Sequence, residues 1–209
     1  MRPRPSQRPY NVEYYRRNRD LELQRVRVRQ AGMVELLRDL RRVACHDCGG
    51  QFKPHQMDFD HRDPSTKSFN VMTGRAMLMS TARVLAEVAK CDVVCVNCHR
   101  LRTRSQHRDR LAGLTTGTSK GLAIRRARWR RQAAMLDRLR DVPCMDCGNR
   151  FPSCSMDFDH RDPSTKSSRV PALIGHAGDE RILAEVAKCD IVCGNCHRLR
   201  TFAARSKRE

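Results

Sequence analysis

The chain has 209 residues, enough for two cores of about a hundred residues each. Only 39% is apolar, with one Trp, three Tyr and six Phe, so such cores are short of material, and eleven cysteines are available to staple them. Forty-two lysines and arginines against 23 acidic residues leave +19, a field that attracts polyanions and is excessive for protein partners; no apolar stretch approaches the ~20 residues of a membrane span, which sets nucleic acid ahead of lipid.

In chain order, residues 1–12 form an arginine- and proline-rich tail without the apolar region of a secretory signal, and disorder is expected there. An intracellular, reducing compartment follows, in which closely spaced cysteines are metal ligands rather than disulfides. Met33, Leu36, Leu37, Leu40 and Val43 recur at i, i+3, i+4 spacing, predicting an amphipathic helix with a basic outer face that is either solvated or phosphate-tracking. Met57–His61 alternates apolar and polar residues, as a half-buried strand does. Residues 63–66 make a turn, and residues 69–83 a surface loop. Asp92, Val93 and Val94 form a second strand running into Cys95, and Asn97 to Thr103 open a helix. Residues 114–121 are a flexible polar joint. Beyond it Ala133, Leu136, Leu139 and Val142 repeat the amphipathic helix, with Trp129 expected in a core. The domains expected are the tail 1–12, a helix and zinc module 13–112, a linker 113–121, and a second helix and module 122–209.

The second half repeats the first. Residues 57–68 and 156–167 share the same twelve letters, MDFDHRDPSTKS; LAEVAKCD at 85–92 recurs at 183–190, and VCVNCHRLRT at 94–103 recurs as VCGNCHRLRT at 192–201. The offset falls from 99 to 98, so one residue is missing in between, where 69–83 and 168–181 differ most. Of eight histidines only His61 with His160, and His99 with His197, have a counterpart; His46, His55, His107 and His176 are expected to be ordinary surface residues.

Each copy carries two C-x-x-C pairs: Cys45, Cys48, Cys95 and Cys98 in the first, and Cys144, Cys147, Cys193 and Cys196 in the second. Each pair brings two thiolates to one side of a metal, and two pairs complete a closed tetrahedral zinc site. A redox dithiol does not explain two pairs per copy. The glycines after Cys48 and Cys147 suit the tight turn of a zinc knuckle. Cys91 and Cys189 fall outside the pairs and are expected to be buried as small apolar residues.

Between the knuckles, Asp60, His61 and His99, with Asp159, His160 and His197 in the second copy, can converge as phosphodiester hydrolysis requires. An oxygen ligand and an imidazole suit a divalent ion, and a second imidazole is left to deprotonate water. Arg62, Arg100 and Arg102, with Arg161, Arg198 and Arg200, flank these residues and could clamp phosphate or remain solvated.

C-x-x-C, then Asp-His on a strand, then C-x-N-C-H opening a helix resembles the HNH or ββα-metal nucleases, particularly the zinc-bearing, endonuclease VII-like kind. The resemblance covers about residues 45–103 and 144–201. It implies an α+β fold of two tandem zinc-stapled ββα-metal (HNH, treble-clef) modules, each preceded by a basic amphipathic helix. It also implies His61 and His160 as general bases, and Asp60 with His99, and Asp159 with His197, as ligands of a catalytic Mg2+ or Mn2+. Asn97 and Asn195 take the family's asparagine role, with Asp92 or Asp190 as the alternative. Asp58 and Asp157 are further carboxylates on the same strand face. The function so implied is an endonuclease with two structural Zn2+ sites, acting on nucleic acid, with double-stranded or branched DNA the expected form, as a monomeric pseudo-dimer in the cytoplasm of a bacterial or phage-infected cell. The rival readings are a zinc-stapled DNA-binding or regulatory protein without catalysis, and an interaction scaffold of a phage or mobile-element assembly.

Overall fold

A computed structural model describes residues 12–73, 78–112 and 120–206. The expected basic tail up to residue 11 and most of the expected joint, 113–119, lie outside the described residues. The fold is mixed α+β with two small two-stranded sheets. In chain order it runs α1 (Val12–Asp39), β1 (Met57–His61), α2 (Thr81–Val88), β2 (Cys91–Cys95), α3 (Val96–Ala112), α4 (Lys120–Leu139), β3 (Met156–His160), α5 (Val170–Leu173), α6 (Asp179–Val186), β4 (Cys189–Cys193) and α7 (Gly194–Ser206). β1 pairs with β2 and β3 with β4. No helix among the described residues is long and apolar enough to cross a membrane.

Contacts divide the chain into two units, Met1–Arg42 with His61–Asp92, and Val43–Asp60 with Val93–Glu209, a division that does not follow the repeat boundary. In the first unit α1 buries only Met33 and Leu37 of its large apolar residues, while Tyr14, Tyr15, Leu21, Leu23 and Val28 are exposed. Its exposed part is supported by ion pairs one turn apart, Arg17 to Glu13 and Arg25 to Glu22. After β1, Asp63 accepts from the Ser65 amide at 2.8 Å and closes the expected turn as a single 3-10 turn, Pro64–Thr66. α2 is capped by Ser80, whose side chain accepts from the Arg83 amide. It buries Val84 and Glu87.

The second unit holds the whole second copy and the zinc-knuckle residues of the first. β3 and β4 are antiparallel in the register Met156↔Cys193, Phe158↔Ile191 and His160↔Cys189, with Asp157↔Val192 and Asp159↔Asp190 between. Alternation along a strand therefore puts Asp157, Asp159 and Asp190 on one face and Phe158 and His160 on the other. Leu136 of α4 packs with Val170, Leu173, Ala177, Ile182 and Cys189, and Phe158 lies against this cluster. A second cluster is built from the cysteines themselves, Cys144, Cys193 and Cys196, around Met156 and Val192. Cys45, Met57, Val94 and Cys95 form its counterpart. The thiols thus stand where a larger domain would place more apolar side chains.

Several expectations are corrected. Residues 168–181 are not a surface loop: Val170, Leu173 and Ala177 are buried, because they pack in one apolar cluster with Leu136 of α4 and Ile182 of α6. Val71 of the first copy's equivalent segment is buried as well. Trp129 is 53% exposed and lies over Gly175, where a Cβ would stand 3.4 Å from its ring. The place expected for it in the core of α4 is taken by Leu136 and by fully buried Gln132. Val43 and Val142, expected to extend the apolar stripes, are exposed beyond the ends of their helices. His55 is half-buried and stacked on Phe202 with ring centroids 4.1 Å apart. Lys120 and Gly121, assigned to the joint, belong to α4.

Inside the second unit the starts of α3 and α7 meet. Gln56 Nε2 donates to the Asn195 carbonyl and Ser155 Oγ to the Asn97 carbonyl, both at 3.1 Å, from equivalent positions of the repeat. Gly194 stands where the first copy has Val96. A Cβ on Gly194 would come within 2.5 Å of Val96 Cγ1, so the one difference between VCVNC and VCGNC lies where there is room for only one valine.

Candidate metal and hydrolytic sites

The two cysteine sets close as expected. In each, the four Sγ atoms lie within 4.8 Å of one another, and among the described residues these are the two groups of three or more potential ligands. A tetrahedral Zn2+ with bonds of ~2.3 Å needs sulfur separations of about 3.8 Å, which this spacing admits. The turn is made by Gly49 and Gly148, at φ 68° and 70°, conformations costly for other residues. The amides of Cys95 and Cys193 each donate to the sulfur of Cys45 and Cys144 at 3.2 Å. Burial pushes the Cys144 thiol up, but the amides of Cys147, Cys193 and Asp146 outweigh it and bring it down to about 7. Cys45 is held at about 7 in the same way. Such sulfurs are ready to lose a proton to a metal. Cys91 and Cys189 stay outside both clusters, each buried and donating to a helix carbonyl, of Glu87 and Glu185, at 3.4 Å.

The aspartate face of β3 meets the first turn of α7. His197 Nδ1 is 2.8 Å from Asp157 Oδ2, and its Nε2 is 3.4 Å from Asp159 Oδ1. The other oxygen of Asp159 takes Arg200 Nη1 at 3.2 Å; Arg200 also reaches Asp190 at 2.9 Å and grips Asp146 with two nitrogens. The first copy repeats this: His99 Nδ1 to Asp58 Oδ2 at 2.9 Å, Nε2 to Asp60 Oδ1 at 3.5 Å, and Arg102 between Asp47 and Asp60. The hydrogen bonds to Asp157 and then Asp159 hold the His197 imidazolium up to about 9. Burial would raise the carboxyl of Asp157, yet His197 and Arg100 keep it below its ordinary range.

The predicted bases are placed differently. His160 lies on the opposite strand face from Asp159, with its side chain 7% exposed and Nε2 2.8 Å from Glu185 Oε1. The expected convergence of both imidazoles with the aspartate is therefore reduced to His197 with Asp157 and Asp159. Among the described residues nothing hydrogen-bonds His160 Nδ1. Glu185 also accepts from the Ser167 and Ser168 amides, at 2.8 and 3.1 Å, and from Lys188 Nζ at 2.7 Å. Lys188 first, and His160 and these amides with it, hold its carboxyl far below the ordinary range despite burial. His61 and Glu87 repeat the pair at 2.8 Å, with Lys90 and the Ser68 amide on the same carboxylate. Glu87 and Glu185 were missed in the sequence. The available signal was a charged residue repeated inside LAEVAKCD at a position that α2 and α6 turn inward.

The remaining candidates are bonded to protein groups. Asn97 and Asn195 are buried where the two copies meet, the Asn195 amide donating to Asn97 Oδ1 at 3.3 Å, and neither reaches an Asp-His set. Arg62 and Arg161 cap the ends of α2 and α6 through the carbonyls of Ala89 and Ala187 and reach Asp92 and Asp190. Arg100, Arg102, Arg198 and Arg200 all hold aspartates. The expected phosphate clamps are thus engaged with protein acceptors. No family model, curated protein or solved structure matches the chain.

Proposed function

We propose that the chain is a metal-dependent nuclease with one centre in each copy, and the observation that carries this reading is the Asp159–His197–Asp157 arrangement with its replicate Asp60–His99–Asp58. Asp157 accepts the Nδ1 proton of His197 and so turns Nε2, whose proton a bound ion would displace, toward Asp159, the outer-sphere carboxylate pattern common behind metal-bound histidines. Asp159 Oδ1 and His197 Nε2 are then the pair that would hold Mg2+ or Mn2+. Such an ion contributes Lewis-acid stabilisation of the charge that develops on the phosphate. Arg200 ties the second oxygen of Asp159 and keeps the first directed at His197. The two four-cysteine clusters would each hold a structural Zn2+, whose role is to cross-link strand and helix where the apolar core is small.

His160 stays with Glu185, which accepts its Nε2 proton, on the face of β3 away from Asp159. At the Asp159–His197 pair the oxygen of a water would bond to phosphorus and give its proton to solvent, the phosphorus–oxygen bond to the leaving group would break, and that oxygen would be protonated from solvent. The charge of +19 draws a polyanion such as double-stranded or branched DNA to these centres. The test is supercoiled plasmid with Mg2+ or Mn2+, comparing wild type with Asp60→Ala/Asp159→Ala and with His61→Ala/His160→Ala. Nicking by wild type and its loss in Asp60→Ala/Asp159→Ala is expected, and equal nicking by that variant would refute the assignment; loss in His61→Ala/His160→Ala at unchanged folding would instead give the base role to His61 and His160. The enclosure of His160, on the strand face away from Asp159, favours a second reading, a zinc-stapled DNA-binding protein without catalysis. Retained DNA binding with no cutting by wild type supports that one.

A further inference from the structure

The aspartate behind each histidine is shared between the copies. Arg100 follows His99 in the first copy, yet its Nη2 donates at 2.7 Å to Asp157 Oδ2, the same oxygen that takes His197 Nδ1 in the second. The reciprocal contact is present too. Arg198 donates to both oxygens of Asp58, at 2.7 and 2.9 Å, and Asp58 Oδ2 also takes His99 Nδ1. In each His-Arg dipeptide the histidine therefore faces its own copy's aspartates, while the arginine crosses to the carboxylate that orients the other copy's histidine.

We propose that Arg100 and Arg198 are positioning residues acting in trans, so that neither centre is complete without the other copy. The inference rests on the reading of these Asp-His sets as metal centres. The physical argument is one of rotamer control. Each aspartate is largely enclosed and otherwise directed by a single imidazole; the guanidinium fixes its plane and lets Oδ2 serve as acceptor of Nδ1–H. Without the arginine the carboxylate can turn, and the ring it holds loses its direction. This explains why two copies are joined in one chain more directly than the need to cut two strands does, since a lone copy would lack one arginine of its own site.

The test uses the full-length, zinc-loaded chain with Arg100→Ala, Arg198→Ala and the charge-keeping Arg100→Lys. Without Mg2+ or Mn2+, the ring-nitrogen NMR signals of the histidines report the hydrogen bond made at each ring nitrogen. Arg100→Ala should move those of His197 and Arg198→Ala those of His99, with Arg100→Lys intermediate. Mn2+ affinity of the remaining centre should fall about 10- to 100-fold when Arg100→Ala is placed in the Asp60→Ala background. A much smaller fall is expected in the Asp159→Ala background. If Arg100→Ala moves His99 as much as His197, or moves neither, the assignment in trans is overturned, and the pair is only an ion pair joining the copies. If wild type binds Mn2+ but cuts nothing, the nuclease reading fails by itself, and the histidine signals still decide the crossing.

Discussion

Placing Ala at Gly194 isolates how closely the two copies are packed. The added Cβ would lie 2.5 Å from Val96 Cγ1 and 3.1 Å from Arg100 Cζ and Nη1. Ordinary carbon contacts begin near 3.4 Å, so one side must move by almost an ångström. Val96 is 3% exposed and has little room to turn. Overpacking of this kind costs about 1–3 kcal/mol. Ala in place of Gly in a helix returns at most about 1 kcal/mol, and less at its first residue. A net loss of about 1–2 kcal/mol is expected, which in a chain of this size lowers Tm by about 2–8 °C. The assay is thermal unfolding of zinc-loaded protein at constant metal content. Val96→Ala removes the clashing methyl, so in Gly194→Ala/Val96→Ala the penalties should not add, leaving a favourable coupling of about 1 kcal/mol. A higher Tm for Gly194→Ala, or strict additivity with Val96→Ala, would refute the packing argument.

The metal clusters and buried polar groups carry the other expectations. Structural zinc sites contribute about 10–16 kcal/mol in small peptides, as much as the whole stability of most domains, so a strong chelator should abolish cooperative unfolding and release two zinc ions per chain, one for each four-cysteine set; release of fewer than two would break the symmetry of the sets. The raised folded-state pKa of His197, about 9 against about 6.5 unfolded, means that its ion pairs stabilise fully below pH 6.5 and are lost as pH rises through 9. In protein without Mg2+ or Mn2+ the Tm should therefore fall over that window, and Asp157→Asn should flatten the fall. Gln132 is fully buried, donating to the Ala177 carbonyl and Asp179 and accepting from the Gly175 amide at 2.7 Å. Gln132→Ala strands these groups and should cost about 3 kcal/mol by denaturant unfolding; a loss below about 1 kcal/mol would show that water replaces it.

Local signals carried β1 and β3, the strand leading into Cys95, the helices opening at Asn97 and Asn195, and the four-cysteine sets, because period-two alternation and C-x-x-C spacing act over a few residues. The turn at Asp63 and the knuckle glycines belong with these. Chain order did not reveal the inward Glu87 and Glu185, the exposure of Trp129 or the burial of Val170 and Leu173, since each depends on which helix lies against which sheet face. Adjacency in sequence suggested that Asp159 and His160 act at one point, whereas strand alternation turns them to opposite faces and gives His160 to a glutamate 25 residues away. The crossing of Arg100 and Arg198 is the furthest from local rules. It comes from two near-identical segments meeting at their helix starts, a contact across 57 and 140 residues of chain that no periodicity encodes.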